Sequence, residues 1–300
     1  MSRPFLTPLK LDISQLLRTS PPAPDHVLPG LPVGTLGLLV APGGTGKTML
    51  LVQTAVALAV GKPFLNGAMG KTSSSDPARV VLFAAEETVD ELHRRLHQVV
   101  RQLMDAHPEL KDSAQQSSTL ELLDNNLHIY PMAGAARLRL DETEGSEHEL
   151  AFLREAAKGA RLVVLDPLRQ FHSGDENDSW VMTNLVHQCL AIATQERCAF
   201  ILSHHTNKQA TVSGYGDKAA ASRGSAALTD AARWQLNMSE LDPGLAREWG
   251  ISQADAWRCV RVDLAKHNYL SGQPPVVLRK GAGGVLDTLL AKVRGKGASA

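Results

Sequence analysis

The chain has 300 residues, 43% of them hydrophobic, so it can bury the core of one large α/β domain or two small ones. Lys plus Arg equal Asp plus Glu at 31 each, which excludes a bulk positive field able to hold a polyanion. The cysteines Cys189, Cys198 and Cys259 show no metal-ligand spacing, and three is an odd number for a disulfide framework. With no apolar run of signal-peptide or membrane-spanning length, the sequence predicts a soluble cytoplasmic protein without membrane contact.

Residues 1–34 are predicted to form an N-terminal arm that could link subunits. A short amphipathic piece from Leu11 to Leu17 is followed by five prolines, which exclude a regular helix. From Thr35 onwards, apolar runs of strand length alternate with helical periodicity, which is typical of a mostly parallel sheet flanked by helices. Residues 35–300 are therefore predicted to be one α/β domain.

The predicted elements of this domain follow the chain. They are strand 35–40, helix 47–60, strand 79–84, helix 88–103, strand 127–131, helix 146–158, strand 161–165, helix 178–196, strand 199–203, helix 222–232, strand 233–238, a short helix near 242–249 and strands near 257–265, 275–279 and 284–288. The last three strands are expected to add an antiparallel edge to the parallel core. The Ser-rich loop 71–77 and the polar stretch 105–126 receive no assignment, whereas the loop 206–221 is long enough to be functional.

A glycine-rich run lies between the strand 35–40 and the helix 47–60, which is the context that a phosphate-binding loop requires. Its glycines let backbone N–H groups approach phosphates closely, and the helix N-terminus adds partial positive charge. Lys47 is predicted to reach the β- and γ-phosphates of ATP, and the Thr48 hydroxyl to hold Mg²⁺. The alternative is a plain glycine-rich turn. The predicted ATP contacts are Pro42, Gly43, Gly44, Thr45, Gly46, Lys47, Thr48 and Met49.

Two further apolar strands lead into acidic residues. Asp166 ends the strand 161–165 at the sheet edge where ligands gather, so it is predicted to complete the magnesium shell; capping the turn before Pro167 is the alternative. Glu86 follows the strand 79–84 and is predicted to polarise the attacking water as a general base. Glu87 is expected in the first turn of the next helix, where negative charge is favourable, and that place is also the alternative for Glu86.

A third strand ends in His204 and His205. Zinc binding is the alternative role for this pair, although no Cys, Asp or Glu follows at ligand spacing. We predict instead that His205 hydrogen-bonds the γ-phosphate, so that the strand end senses hydrolysis. Three strand ends are therefore expected to bring Glu86, Asp166 and His205 to one triphosphate beside Lys47.

At this level of detail the chain resembles the RecA-like ATPases, and within them the RepA-type hexameric replicative helicases of plasmids. The matching segments keep their order. They are PGGTGKT at 42–48, AEE at 85–87 with HRRLH at 93–97, VLDPLRQFH at 164–172, LSHHTNK at 202–208, ASRGSAALTDAARWQ at 221–235 and LAKHNY at 264–269. The resemblance implies a RecA-like fold, a ring of six subunits with ATP between neighbours, and hydrolysis coupled to translocation on single-stranded DNA.

The resemblance also implies roles for residues that the strand pattern does not identify. Arg233 falls on the arginine finger donated to a neighbouring subunit, Arg95 on a second interface arginine, and Lys266 on a late basic motif at the nucleotide. An arginine supplied by a neighbour would stabilise charge on the transferred phosphoryl group. An intrachain ion pair is the alternative for both arginines.

The segment 206–223 falls on the DNA-facing central loop of that family. Six copies of Lys208, Lys218 and Arg223 around one channel would create the positive field that the neutral monomer lacks, and Tyr215 could stack on a base. An ordinary solvated loop is the alternative. A primase or initiator protein is the expected partner for loading. The sequence leaves open a RecA-like recombination or regulatory ATPase without unwinding activity, and a nucleotide-dependent scaffold.

Overall fold

The computed structural model describes residues 10–70, 72–135, 138–141, 146–206, 226–270 and 272–289. These residues form a nine-stranded mixed sheet and a separate two-stranded hairpin, with helices packed on the sheet. Within this part of the chain, no helix is both long enough and apolar enough to cross a bilayer.

The strands are β1 (His26–Leu28), β2 (Leu31–Pro32), β3 (Leu36–Ala41), β4 (Val80–Ala84), β5 (Leu127–Pro131), β6 (Leu162–Asp166), β7 (Ala199–His205), β8 (Trp234–Glu240), β9 (Cys259–His267), β10 (Val276–Lys280) and β11 (Leu286–Leu289). The helices are α1 (Ile13–Arg18), α2 (Lys47–Ala59), α3 (Val89–Ala106), α4 (Ser113–Asn126), α5 (Glu147–Ala157), α6 (Ser179–Glu196), α7 (Ala226–Ala231), α8 (Pro243–Glu248) and α9 (Gln253–Ala256). Short 3₁₀ turns include Leu168–Phe171 and Ala282–Gly284.

The sheet order is β11-β10-β9-β8-β3-β7-β6-β4-β5. The strands from β8 to β5 in this order pair in parallel, whereas β9, β10 and β11 pair antiparallel. The predicted α/β class with an antiparallel C-terminal edge is therefore confirmed. Because β3 lies between β7 and β8, the glycine-rich loop that follows β3 emerges beside the last residues of β7, with Ala41 paired to His205.

Two hydrophobic clusters bury the sheet from opposite sides. Strands β3, β4 and β6 are buried along their whole length, which explains why they read as continuous apolar runs rather than as alternating ones. One cluster includes residues of α2 and α3, and the other includes residues of α5 and α6. The sheet therefore forms a rigid base whose strand ends position side chains.

Helix α4 occupies most of the polar stretch 105–126, which the sequence left unassigned. Among its residues only Thr119 is buried, while Leu122 and Leu123 pack partly against the core. The Asp112 carboxylate caps its N-terminus by accepting the N–H of Ala114 at 3.2 Å. So few apolar positions produce little of the periodicity that predicts a helix.

Part of the N-terminal arm packs on the sheet. Val27, Leu28 and Leu31 of the β1–β2 hairpin are buried, and the Trp234 indole N–H donates to the Pro29 carbonyl at 3.0 Å. Helix α1, by contrast, has no buried residue. The division into an arm and a domain at residue 35 stays a prediction.

An ion pair joins the arm to the start of β6, where Arg161 Nη1 donates to Asp25 Oδ2 at 2.9 Å. The guanidinium holds the pKa of Asp25 below its ordinary value, so the pair stabilises the fold at neutral pH, and this stabilisation is lost as the pH falls through the lowered pKa. Replacing Asp25 with asparagine is expected to cost about 1 kcal/mol or less at neutral pH, because solvent screens side chains that are 37% and 30% exposed. Urea unfolding measures this loss. An equal loss at strongly acidic pH would contradict the explanation.

Candidate active site

The loop between β3 and α2 leads into the N-terminus of α2 through two glycines of left-handed conformation. Gly44 and Gly46 adopt φ values of 74° and 107°, which side chains with a Cβ rarely tolerate. Gly46 is the N-cap of α2, no side chain caps this helix, and its first turn contains no acidic residue. The N-terminus of α2 therefore has the free donors and the partial positive charge that attract a phosphate group.

Lys47 lies at the centre of the site and is only 8% exposed. Its Nζ donates to the carbonyl oxygens of Ala41 at 3.0 Å and Pro42 at 3.1 Å, and lies 3.4 Å from His205 Nδ1. Burial lowers the pKa of Lys47, and the negative charges of Asp166 and Glu86 oppose this effect. Both carboxylates are therefore close enough to act on the ammonium group.

Asp166, at the end of β6, is 3% exposed. Its carboxylate accepts a hydrogen bond from the Thr48 hydroxyl at 2.6 Å and another from the Ser203 hydroxyl. Burial raises the pKa of Asp166, although the two hydroxyls and Lys47 favour its ionised form. A buried carboxylate beside a hydroxyl fits Mg²⁺, which prefers oxygen ligands; when bound, the ion would neutralise charge on the phosphates. Thr48 and Asp166 would hold it.

Replacing Asp166 with asparagine is expected to stabilise the protein when nucleotide and metal are absent. The raised pKa means that ionised Asp166 destabilises the fold, and that this cost appears as the pH rises through the raised pKa. Asparagine removes the charge yet can still pair with the Thr48 and Ser203 hydroxyls. We expect a gain of about 1 kcal/mol or more at neutral pH, roughly 2 °C or more in Tm. Calorimetry in EDTA measures it, and a gain that does not shrink at acidic pH would contradict the explanation.

Glu86 lies in the turn after β4, with an exposed side chain. Its Oε1 accepts a hydrogen bond from Gln170 Nε2 at 3.2 Å. Gln170 belongs to the 3₁₀ turn that follows β6, so the two strands that carry Glu86 and Asp166 are also connected through this contact. Gln170 can therefore orient the Glu86 carboxylate.

Glu87 differs from its predicted place. Helix α3 begins at Val89 with Thr88 as its N-cap, so Glu87 precedes the helix instead of lying in its first turn. Its carboxylate accepts two hydrogen bonds from Arg95, at 2.9 and 3.3 Å. Burial raises the pKa of Glu87, and Arg95 opposes this shift. Within one chain, Arg95 therefore forms the intrachain ion pair that was the alternative to an interface role.

Arg233 and Lys266 lie on the side of the sheet where the parallel strands begin, whereas the phosphate loop lies where they end. The Arg233 N–H donates to the Leu36 carbonyl at the start of β3, which at about 3.3 Å per residue is about 16 Å from the end of that strand. Lys266 Nζ donates to the carbonyl oxygens of Thr229 at 2.6 Å and Asp230 at 3.3 Å. Neither residue reaches the phosphate loop of its own chain, so the roles predicted for them require a second subunit.

The structure thus brings Lys47, Thr48, Glu86, Asp166 and His205 together. The proposed DNA-binding residues Lys208, Tyr215, Lys218 and Arg223 lie outside the described residues. Among the described residues, no group of three or more His, Cys, Asp or Glu is arranged to hold a metal ion. Two residues of the site, Ser203 and Gln170, were not predicted: Ser203 directly precedes the His pair, whereas no local pattern marks Gln170.

The C-terminal strands also contact the phosphate loop. Lys280 Nζ, at the end of β10, donates to the Gly44 carbonyl at 3.0 Å. The backbone of Leu286 in β11 exchanges two hydrogen bonds with the Gln53 side chain of α2, each 2.9 Å long. The antiparallel edge therefore fixes the loop and its helix from one side.

Comparisons with known proteins bear on the family and the fold of the chain. The profile of the AAA domain family matches residues 3–211. One similar solved structure is described as an ATPase domain: it is 17% identical, has a TM-score of 0.54, and 85% of each chain is covered. Another is a DnaB-like replicative helicase studied with primase, which is 18% identical with a TM-score of 0.53. That match covers 86% of this chain and 58% of the helicase chain. At these identities the likeness shows a shared fold.

Proposed function

Since this chain belongs to the AAA domain family, we propose that it is an ATP-hydrolysing replicative DNA helicase that translocates on single-stranded DNA as a ring-shaped homo-hexamer. The observation that carries the proposal is the cluster at the ends of β3, β6 and β7. There Thr48 bonds Asp166 at 2.6 Å, while Lys47 lies 3.4 Å from His205. These groups match the needs of phosphoryl transfer to water, which depends on positioning and charge stabilisation.

Each residue of the cluster has a distinct role in this proposal. The phosphate loop and Lys47 bind the triphosphate, and Glu86 accepts a proton from the attacking water while Gln170 holds its carboxylate. His205 senses the γ-phosphate through the end of β7. The glutamate and the histidine pair at the strand ends suit attack by water better than attack by a bound acceptor, which favours an ATPase over a kinase.

The location of Arg233 supports a ring. It lies too far from its own phosphate loop to contact ATP there, so it can assist hydrolysis only at the site of a neighbouring subunit. Lys266 is on the same edge. One solved structure of similar fold is that of a DnaB-like replicative helicase, which interacts with primase. A primase or an initiator protein is accordingly the proposed loading partner.

The proposed DNA contact is the segment 206–223. In a ring, Lys208, Lys218 and Arg223 would supply a local positive field that a chain of zero net charge does not have overall, and Tyr215 offers a stacking surface. Replacing the three basic residues with alanine is expected to weaken DNA-stimulated hydrolysis while basal hydrolysis is kept. The salt dependence of DNA binding should also decrease in the variant.

The decisive experiment measures three properties of the full-length protein with Mg²⁺. These are ATP hydrolysis with and without oligo-dT, ring size by electron microscopy with a non-hydrolysable ATP analogue, and unwinding of a forked duplex. The proposal expects stimulated hydrolysis, a six-fold ring with density in its hole, and unwinding. A variant with Lys47 replaced by alanine serves as the inactive control.

Other outcomes identify the rival functions. DNA-stimulated hydrolysis without unwinding of either forked or blunt duplexes would point to a recombination or regulatory ATPase. If rings form but DNA does not stimulate ATP hydrolysis, the protein is not an ATP-driven translocase on DNA. If the Glu86→Gln variant lost ATP hydrolysis but still performed the function of the protein in the cell, the protein would be a nucleotide-dependent scaffold.

A further inference from the structure

Two histidines on the surface of α3 face each other across one helical turn. His93 and His97 are four residues apart, and both side chains are exposed. Their Nε2 atoms are 3.1 Å apart, and their ring centroids are 4.8 Å apart. Residues at this spacing share one face of a helix, so the proximity follows from the sequence. Nothing in the proposed ATPase cycle uses the pair.

The distance between the two nitrogens suits a chelated metal ion. Zinc binds imidazole nitrogen at about 2.0–2.1 Å, so two nitrogens bound to one ion are roughly 3.0 Å apart at a right angle and about 3.4 Å apart at the tetrahedral angle. The observed 3.1 Å lies between these values. A hydrogen bond between neutral imidazoles is the other arrangement that brings two ring nitrogens so close. In that arrangement the N–H of one ring donates a hydrogen bond, and the lone pair of the facing nitrogen accepts it.

The surrounding charges do not exclude a cation. Arg94 and Arg95 flank the pair, but Arg94 bonds Glu91 at 2.9 Å, and Arg95 bonds Glu87 at 2.9 Å. Each arginine therefore has a carboxylate partner. The pair lines a surface groove together with Gln98 and Gly283. Space remains for water molecules to complete the coordination of an ion.

We propose that His93 and His97 form a two-histidine chelate for a borderline divalent transition metal, with Zn²⁺ as the representative ion. Imidazole suits Zn²⁺, Cu²⁺ and Ni²⁺, whereas Mg²⁺ prefers oxygen ligands, so this site is chemically distinct from the one at Thr48 and Asp166. It lies on the helix turn that carries Arg95. A bound ion would fix two successive turns of α3 and thereby the backbone that positions this arginine.

The cysteines do not compete for the same ion. Cys189, Cys198 and Cys259 are buried, and burial raises the thiol pKa of Cys189 and of Cys198 to about 12. Metal binding by thiols requires the thiolate, which is scarce at such pKa values. Histidines are therefore the donors to test.

The experiment is calorimetric titration of the tag-free, full-length protein with ZnCl₂ in a buffer that does not bind metal. The wild-type chain should bind one Zn²⁺ at this site, and Zn²⁺ should raise its Tm. Replacing either His93 or His97 with glutamine should weaken binding at least about tenfold, because even residues that only support a metal ligand are worth about 10- to 100-fold. Glutamine keeps the helix, and an unchanged Tm without metal checks this.

Two control variants separate a chelate from nonspecific binding. His148→Gln removes an exposed histidine on α5 and should leave the affinity unchanged. The double variant His97→Gln/Gln98→His keeps both histidines on the helix but moves one out of register, so it should bind as weakly as His97→Gln. Equal affinity in the wild type and in the shifted or single variants would overturn the proposal, as would a wild-type chain that binds no Zn²⁺ at millimolar concentration. Neither result depends on ATP hydrolysis.

Discussion

Replacing Glu86 with glutamine is expected to leave ATP binding intact and to lower the hydrolysis rate about 100-fold or more, the usual contribution of a general base. Glutamine has the size and shape of glutamate, and its carbonyl oxygen can still accept the Gln170 hydrogen bond that Glu86 accepts at 3.2 Å. The variant therefore keeps the geometry and loses only the ability to take a proton. Phosphate release measures turnover, and titration with a fluorescent ATP analogue measures binding.

The matched control for this variant is Glu121→Gln, which makes the same change at an exposed position of α4. It should hydrolyse ATP at the wild-type rate. If the Glu86→Gln variant hydrolysed ATP at a rate within threefold of wild type, a group other than Glu86 would be the general base. The nearest other carboxylate of that turn, Glu87, already accepts two hydrogen bonds from Arg95.

Replacing Arg233 with alanine is expected to lower hydrolysis about a thousandfold, as the loss of an arginine finger does in other phosphoryl-transfer enzymes. Lys47→Ala should also be inactive. A mixture of the two inactive proteins should regain activity, because an intact phosphate loop from one chain then meets Arg233 of the other. With random assembly, about a quarter of the interfaces would combine both intact residues.

This mixing experiment tests the geometry directly. Arg233 directly precedes β8, at the side of the sheet opposite the phosphate loop, so a site contained in one chain cannot use it. If the mixed rings are confirmed by sizing and remain inactive, a role in trans is excluded. Arg247→Ala, which removes an exposed arginine of α8, should retain wild-type activity and controls for the loss of surface charge.

The central strands could be predicted from sequence because they are buried on both sides. A strand covered by helices on each face must be apolar at every position, and the runs that predicted strands 35–40, 79–84 and 161–165 lie within one residue of β3, β4 and β6 at each end. The polar residue that ends such a run stands out, which is how Asp166 was found. The order of the strands leaves no such local signature.

The features that escaped prediction depend on tertiary contacts. The β1–β2 hairpin lies among prolines, and its pairing is stabilised by packing of Val27, Leu28 and Leu31 in the core. Gln170 meets Glu86 only because β6 and β4 are neighbours in the sheet. The pairing of Glu87 with Arg95 joins a residue before α3 to one within it, so it has no helical spacing to reveal it.

The hydrogen bond from Lys280 to the Gly44 carbonyl spans 236 residues of sequence, and the neighbouring contacts of Leu286 with Gln53 span 233. During synthesis on the ribosome, the glycine-rich segment therefore emerges long before the strands that brace it. A nascent chain is not expected to hold nucleotide tightly until these strands have been made. Tight ATP binding is in this sense a late event in the biogenesis of the protein.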